Sequence, residues 1–467
     1  MSDFDPMLFS RRIFLSRGVQ LISAASTLPL FLDRSAMVMA QQHADNPQGA
    51  GRPDHRVLVV LQLAGGNDGL NTIIPVRQDD YYKARPRLAI PRATALELNK
   101  EFSTHPSAVG LKKLFDAGRL SVIQAVGYPN PNRSHFRSTD IWASAQPDRN
   151  ATDGWLGRYF DNACAGADPG KPGEPTPPHG IDPRSAISLT NEPPLTLAGR
   201  KFAPMAFRSL SGLTYTRYQR ESGMQGAFEQ MNDLDQPETE SPMDEDHNPT
   251  MQAPPPRMPM GSKGSVESDP NDATSYLQRS ALNARLYADE IRQKVNAVKN
   301  KATYPGSRLA QDLRLVAQMI AGGLPTRVYY VTLGGFDTHA NQLNRHAQLT
   351  AELFDALNAF IEDLAALGVL DRTLVMTFSE FGRRVAENVS AGTDHGEAAP
   401  MFLAGANVKP GFFGEMPSLA PRNLSRGDVP WKIDFRRVYA EILRDWLKAD
   451  DRAVLGQRFA PLKLLPA

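Results

Sequence analysis

Acidic, imidazole and hydroxyl side chains recur in this sequence just beyond short apolar runs. Asp68 follows the run Val57 to Leu63 (VLVVLQL), and Ser134 follows Leu120 to Val126 (LSVIQAV). Asp337 and His339 follow Arg327 to Leu333 (RVYYVTL), and Glu380, Arg383, Asp394 and His395 follow Leu374 to Phe378. Each run is rich in β-branched or aromatic residues and nearly continuous in apolar character, as a strand of a parallel sheet must be when both its faces are covered. In an open α/β sheet, ligands bind outside the carboxyl ends of the strands. Carboxylates and imidazoles gathered there form a ligand set for a Zn²⁺ or Mn²⁺ pair. An oxyanion bridging such metals, with a serine in line, describes phosphoryl or sulfuryl transfer.

The elements that must position these residues alternate in the expected way. A short helix over Leu111 to Ala117 precedes the second strand, and Ser134-His135-Phe136 opens a helix toward Trp142. Ser134 stands where an N-cap belongs, so its hydroxyl reads either as a cap or as a nucleophile facing an anion at the helix terminus. His135 beside it reads as a packing histidine. Asp153 to Cys164 is helical in pattern, and so are Ser275 to Val298 and Ser307 to Ile320. Leu349, Leu353, Leu357, Phe360 and Leu364 mark the core face of a helix after the third strand, with His346 structural beside it. Met401 to Ala404 reads as a further strand and Phe435 to Leu447 as a closing amphipathic helix.

Several other chemistries are excluded or weak. The turn Ala64-Gly65-Gly66-Asn67-Asp68-Gly69 lacks the glycine spacing of a dinucleotide-binding turn, and Pro75 interrupts the helix that should follow. No HExxH motif is present, which leaves a zincin-type protease unsupported. Lys and Arg number 52 against 51 Asp and Glu, which gives no electrostatic case for nucleic acid. The single cysteine, Cys164, rules out an intramolecular disulfide framework and a cysteine-built zinc site. With 467 residues, 41% apolar and 22% charged, the chain has material for a large core.

The flanks and one insertion stand apart. Ser10-Arg11-Arg12-Ile13-Phe14-Leu15 is a twin-arginine export pattern, followed by an apolar run from Gly18 to Leu32 that Pro29 interrupts. Val38-Met39-Ala40 reads as a cleavage site, so residues 1–40 are expected to be a signal peptide and 41–55 a linker. This places the mature protein in the periplasm, delivered folded by the twin-arginine machinery. Met231 to Asp272 is Pro-rich, acidic and free of aromatics, and reads as a disordered insertion.

The twin-arginine start, LQLAGGNDGLN, NRSHF, GGFDTH, and FSEFGRR followed by GTDHG together resemble the bacterial family known as domain of unknown function 1501. That family is similar to the alkaline phosphatase, sulfatase and phosphoglycerate mutase superfamily. The resemblance runs over most of the chain from Val57 to Leu447, excluding the acidic insertion, and implies an alkaline-phosphatase-like three-layer α/β sandwich with a mostly parallel central sheet. It matches Asp68 to a first-strand metal aspartate, Ser134 to the nucleophile, Asp337 and His339 to later metal ligands, and His395 to the last histidine. Departures are visible. Ser379-Glu380-Phe381-Gly382 stands where superfamily enzymes carry Ser-Asp-His-Gly or Ala-Asp-His-Gly, and Phe381 cannot ligate a metal. The formylglycine context of sulfatases is absent around Ser134.

The expectation is an exported, metal-dependent hydrolase of phosphate esters or related anions. Its metal set is Asp68, Asp337, His339, Glu380, Asp394 and His395, with Ser134 and Arg383 catalytic. Arg133 is the alternative to Arg383 for holding substrate oxygens. The metal count is open between two, one and none. The rival is a non-catalytic periplasmic binding or assembly module of the same fold. The residues do not speak to oligomeric state.

Overall fold

Strand β1, Val57–Ala64, carries Val57 to Leu61 and Leu63 with essentially no exposed surface, so both faces of the sheet are covered around it. A computed structural model describes residues 56–165, 182–213 and 286–466. The expected signal peptide, linker and acidic insertion lie outside the described residues, as do residues 275–285 of the expected long helix. All described residues except Leu286 belong to one unit, Phe31–Leu213 with Tyr287–Ala467. Among the described residues, no helix is long and apolar enough to cross a membrane.

The remaining strands, in chain order, are β2 Ile73–Ile74, β3 Leu96–Glu97, β4 Ser103–Thr104, β5 Leu120–Gly127, β6 Ala186–Ser188, β7 Met205–Ala206, β8 Val328–Gly334, β9 Thr373–Phe378, β10 Ala399–Gly405, β11 Gly411–Phe413 and β12 Ile433–Asp434. The large sheet runs β11-β5-β10-β9-β1-β8-β6-β7, with β12 also on β5, and β2-β4-β3 form a small separate sheet. β1 pairs parallel with β8 and with β9. β10 is antiparallel to both β9 and β5. Two reversals restore direction, so the carboxyl ends of β1, β5, β8 and β9 share one edge.

Helices cover both faces, giving a three-layer α/β architecture with a mostly parallel sheet. Helices α1 Val109–Asp116, α4 Arg308–Ala321 and α5 Gln342–Ala366 pack together on one side. On the other lie α2 His135–Ser144, α3 Trp155–Ala165 and α6 Phe435–Glu441. The period of two along a strand sorts the side chains: Met401 and Leu403 join the α2–α3–α6 core, whereas Phe402 meets Phe354 of α5. Trp142 stacks on Phe435 at 4.3 Å between centroids and Trp155 on Tyr439 at 4.2 Å. Burying each such ring contributes roughly 2–3 kcal/mol. The closing helix is α-helical only to Glu441 and continues as a π turn, Ile442–Trp446, which brings the Trp446 indole N–H to Val57 O at 3.1 Å.

Candidate metal centre

Three loops leave the shared sheet edge and converge. Gly65 and Gly66 after β1 adopt φ of 115° and 84°. A Cβ on Gly65 would lie 2.4 Å from Asp337 N, and one on Gly66 would run into the Phe381 ring, so this turn lets the loops after β8 and β9 close upon it. Where those loops meet, Asp337 Oδ1 lies 3.0 Å from His395 Nε2 and 3.1 Å from His339 Nε2, and the two imidazole nitrogens are 2.9 Å apart. His135, at the start of α2, places Nε2 3.4 Å from Asp337 Oδ2.

Each imidazole is oriented through its other nitrogen. His135 Nδ1 donates to Glu380 Oε1 at 2.9 Å, His395 Nδ1 to the Arg133 carbonyl at 2.8 Å, and His339 Nδ1 to Asp394 Oδ1 at 3.2 Å. With Nδ1 committed as donor, a neutral ring presents the Nε2 lone pair. Three lone pairs therefore face one carboxylate, an arrangement that repels itself unless a cation or protons enter. Donors on a zinc-sized ion with bonds of about 2.1 Å lie about 3.0–3.4 Å apart, which these spacings match. Among the described residues, His135, Asp337 and His395 each bring a donor atom within 4.8 Å of the others and so fit a divalent metal, with His339 Nε2 alongside Asp337 and His395. Burial opposes the charge on Asp337, but the Arg383 guanidinium donates to it and holds its carboxyl well below the usual range. Burial also pushes the His395 imidazole below its ordinary value, against the upward pull of Asp337 and the Arg133 carbonyl. Both directions favour the states a cation requires: a carboxylate and a neutral ring.

The sequence-predicted residues separate into groups. Asp337, His339 and His395 come together as expected. Glu380 and Asp394, expected as ligands, stand one step behind the imidazoles. Glu380 is buried, accepts from Gly65 N at 2.7 Å as well as from His135, and leaves Oε2 without a hydrogen bond. Asp394 is held by Asn388 Nδ2 at 3.1 Å, and its carboxyl sits below the usual range chiefly through that bond.

Asp68 does not join the cluster. Its side chain is fully buried, caps residues Gly69–Thr72 through Leu70 N and Asn71 N, and pairs with Arg85 Nη1 at 2.6 Å. Arg383 is likewise placed differently from its expected role on substrate. Its side chain has no exposed surface and donates to the carbonyls of Gly65, Gly66, Phe336 and Thr393 and to Asp337 Oδ1, which makes it a strut between loops. Arg133 remains partly exposed and pairs with buried Asp428, as does Arg384.

Ser134 occupies the N-cap position of α2, is exposed, and makes no side-chain capping bond. Its hydroxyl is not committed to the helix. His135, read from sequence as a packing residue, is the member that was missed. The signal was present in its position directly after Ser134 at a strand end.

A family model described as a protein of unknown function, DUF1501, matches residues 123–455. No match to the chain is found among curated proteins. Among solved structures, the lipoteichoic acid synthase LtaP from Listeria monocytogenes aligns over 81% of this chain and 73% of its own, at 10% identity and a TM-score of 0.30. A protein in the alkaline phosphatase superfamily from Vibrio parahaemolyticus aligns over 83% and 71%, at 8% identity and a TM-score of 0.32. The PsFucS1 sulfatase from Pseudoalteromonas sp. aligns over 83% and 66%, at 9% identity and a TM-score of 0.28.

Proposed function

The chain belongs to the family described as protein of unknown function DUF1501, and we propose that it is an exported, metal-dependent hydrolase of phosphate esters or related small anions. One observation carries this reading: three imidazoles, each locked through Nδ1, turn Nε2 toward the Asp337 carboxylate at the sheet edge, and Ser134, next to His135 in sequence, keeps a hydroxyl free of any capping bond. Asp337, His339, His395 and His135 would hold a Zn²⁺ or Mn²⁺ ion. When bound, that ion supplies Lewis-acid stabilisation of the negative charge that develops on oxygen.

The chain's own groups account for the rest. Ser134 lies at the N-terminus of α2, where free backbone amides favour an anion. Its Oγ attacks the phosphorus, the bond from phosphorus to the ester oxygen breaks, and the alcohol departs. Water then releases phosphate from the serine. The partly exposed Arg133 guanidinium, which neighbours Ser134 in sequence and pairs with Asp428, is the group proposed to hold non-bridging oxygens.

The test is elemental analysis of protein purified from its native compartment, with turnover of p-nitrophenyl phosphate measured before and after chelation. Bound Zn²⁺ or Mn²⁺ with chelator-sensitive turnover is expected. Bound metal without turnover of any anionic ester would mean a binding module that keeps the centre. A protein that takes no metal on reconstitution has no such centre at all.

Export is part of the same proposal, since Ser10 to Leu15 lies outside the described residues. Replacing Arg11 and Arg12 with Lys preserves charge but removes the guanidinium geometry a receptor reads. The doubly substituted precursor is expected to stay in the cytoplasm, and normal appearance of mature protein in the periplasmic fraction would refute the export reading.

A further inference from the structure

Apart from His135 on α2, the donor atoms come from two separate loops, and a fixed spacing near 3 Å between them demands something that holds the loops in register. Asp337 and His339 sit after β8, and Asp394 and His395 sit after β9. Thr338 lies between the first pair, and Thr393 directly precedes the second. Both threonine hydroxyls donate to one atom, Gln342 Oε1, at 3.0 Å from Thr338 and 2.6 Å from Thr393. Gln342 is the first residue of α5 and is completely buried. Its Nε2 donates in turn to Asp68 Oδ2. Asp68 is itself immobilised, with Arg85 Nη1 at 2.6 Å on the same oxygen and Leu70 N at 3.2 Å on the other.

Chemistry dictates the direction of this chain. A carboxylate only accepts, so the amide must turn Nε2 toward Asp68 and Oε1 toward the two hydroxyls. The opposite flip would set an amide oxygen against a buried carboxylate. The side chain therefore has one orientation, and that orientation clamps both ligand-bearing loops to the end of β1. Arg85 completes the unit by supplying the positive charge that balances Asp68 where no solvent reaches.

We propose that Gln342, anchored on the Asp68–Arg85 ion pair, is a positioning residue for the metal centre, and that Asp68 serves this amide instead of a metal of its own, so that the centre takes a single ion. The inference rests on the metal-centre reading above and assigns the buried acid that the ligand set leaves out.

The experiment is a chelator-competition titration of the full mature chain with Zn²⁺, reading stoichiometry and dissociation constant, alongside thermal unfolding of the metal-free protein. Wild type is expected to bind one ion per chain. Gln342→Met keeps the volume but loses all three hydrogen bonds, and is expected to weaken binding about 10- to 100-fold, the range typical of groups that orient metal ligands. Its metal-free form should still unfold cooperatively. Thr338→Ser and Thr393→Ser keep the hydroxyl and are expected to retain most of the affinity, whereas Thr338→Val and Thr393→Val, close in size, are expected to lose part of it, a split that residues merely filling space would not show. If Gln342→Met does not fold, Thr338→Val and Thr393→Val each remove one hydroxyl and read the same effect separately.

Two ions per wild-type chain, wild-type affinity in Gln342→Met or in both valine variants, or serine variants as weak as the valine variants overturns the proposal. A wild-type chain that binds no Zn²⁺ removes the centre itself, and this inference with it.

Discussion

Ser134→Ala is expected to cut turnover of an activated phosphate ester by about a thousandfold or more while leaving bound metal nearly unchanged. Asp337→Ala and His395→Ala are expected to lose metal and turnover together. The difference follows from position. Ser134 is exposed at the start of α2 with its hydroxyl free of any capping bond, so its removal deletes a nucleophile and little else. Asp337 Oδ1 is within 3.1 Å of two imidazole nitrogens, and His395 carries one of them. Removing either deletes a donor from the centre. Glu380→Gln and Asp394→Asn should fall between, weakening metal binding about 10- to 100-fold, because each carboxylate orients an imidazole through Nδ1 without reaching the ion's position. Metal content and steady-state turnover on the five proteins separate nucleophile, ligand and orienting group. Should all of them retain wild-type metal and any measured activity, the site at the sheet edge does not exist.

The parts of this site that were legible in sequence are those that depend on strand identity. Buried parallel strands are continuous apolar runs, so β1, β5, β8 and β9 declare themselves, and whatever follows them sits at the edge where ligands bind. Strand direction is less legible. Met401 to Ala404 reads as a strand, but nothing in an apolar run reveals that β10 is antiparallel to both its neighbours. β6 and β7, at three residues and two, are too short to carry a period.

The partition of acids into ligands and supports was illegible for a different reason. Whether Asp68 faces a metal or a guanidinium depends on Arg85, which lies in the run Lys83-Ala84-Arg85-Pro86-Arg87 that looks like solvated surface. In the fold Arg85 is completely buried. Arg383 misleads in the same way: an arginine after a strand end suggests a substrate clamp, yet five hydrogen bonds spend it on loop carbonyls and Asp337. Residue type and spacing locate a site. The counter-charges that decide each acid's role come from elsewhere in the chain.

Arg85 is therefore the residue whose loss should most damage the fold. Its guanidinium donates to Asp68 Oδ2 at 2.6 Å, Asn71 Oδ1 at 2.7 Å, and the carbonyls of Val385 and Arg384 at 2.8 Å each. Arg85→Met keeps much of the side-chain bulk and strands a buried carboxylate, which costs about 3–5 kcal/mol. Against a total stability of about 5–15 kcal/mol for a domain, that is a large fraction. The pH dependence gives the effect a signature. In the wild type burial opposes the Asp68 charge, but Arg85, His346 and Gln342 prevail and hold its carboxyl below the ordinary value. Its contribution is therefore full above the unfolded pKa of about 4 and is lost as pH falls through the folded one. Without Arg85 burial wins, the folded pKa rises above the unfolded one, and protonation relieves the defect. The gap between variant and wild type should thus be widest near pH 7 and narrow as pH falls toward 4. Asp68→Asn in the Arg85→Met background should recover part of the loss at pH 7, since an amide needs no counter-charge. Urea unfolding of the three proteins at pH 7 and at pH 5 measures this. A loss that is small at pH 7, or that does not change with pH, would show that the pair does not carry the stability assigned to it.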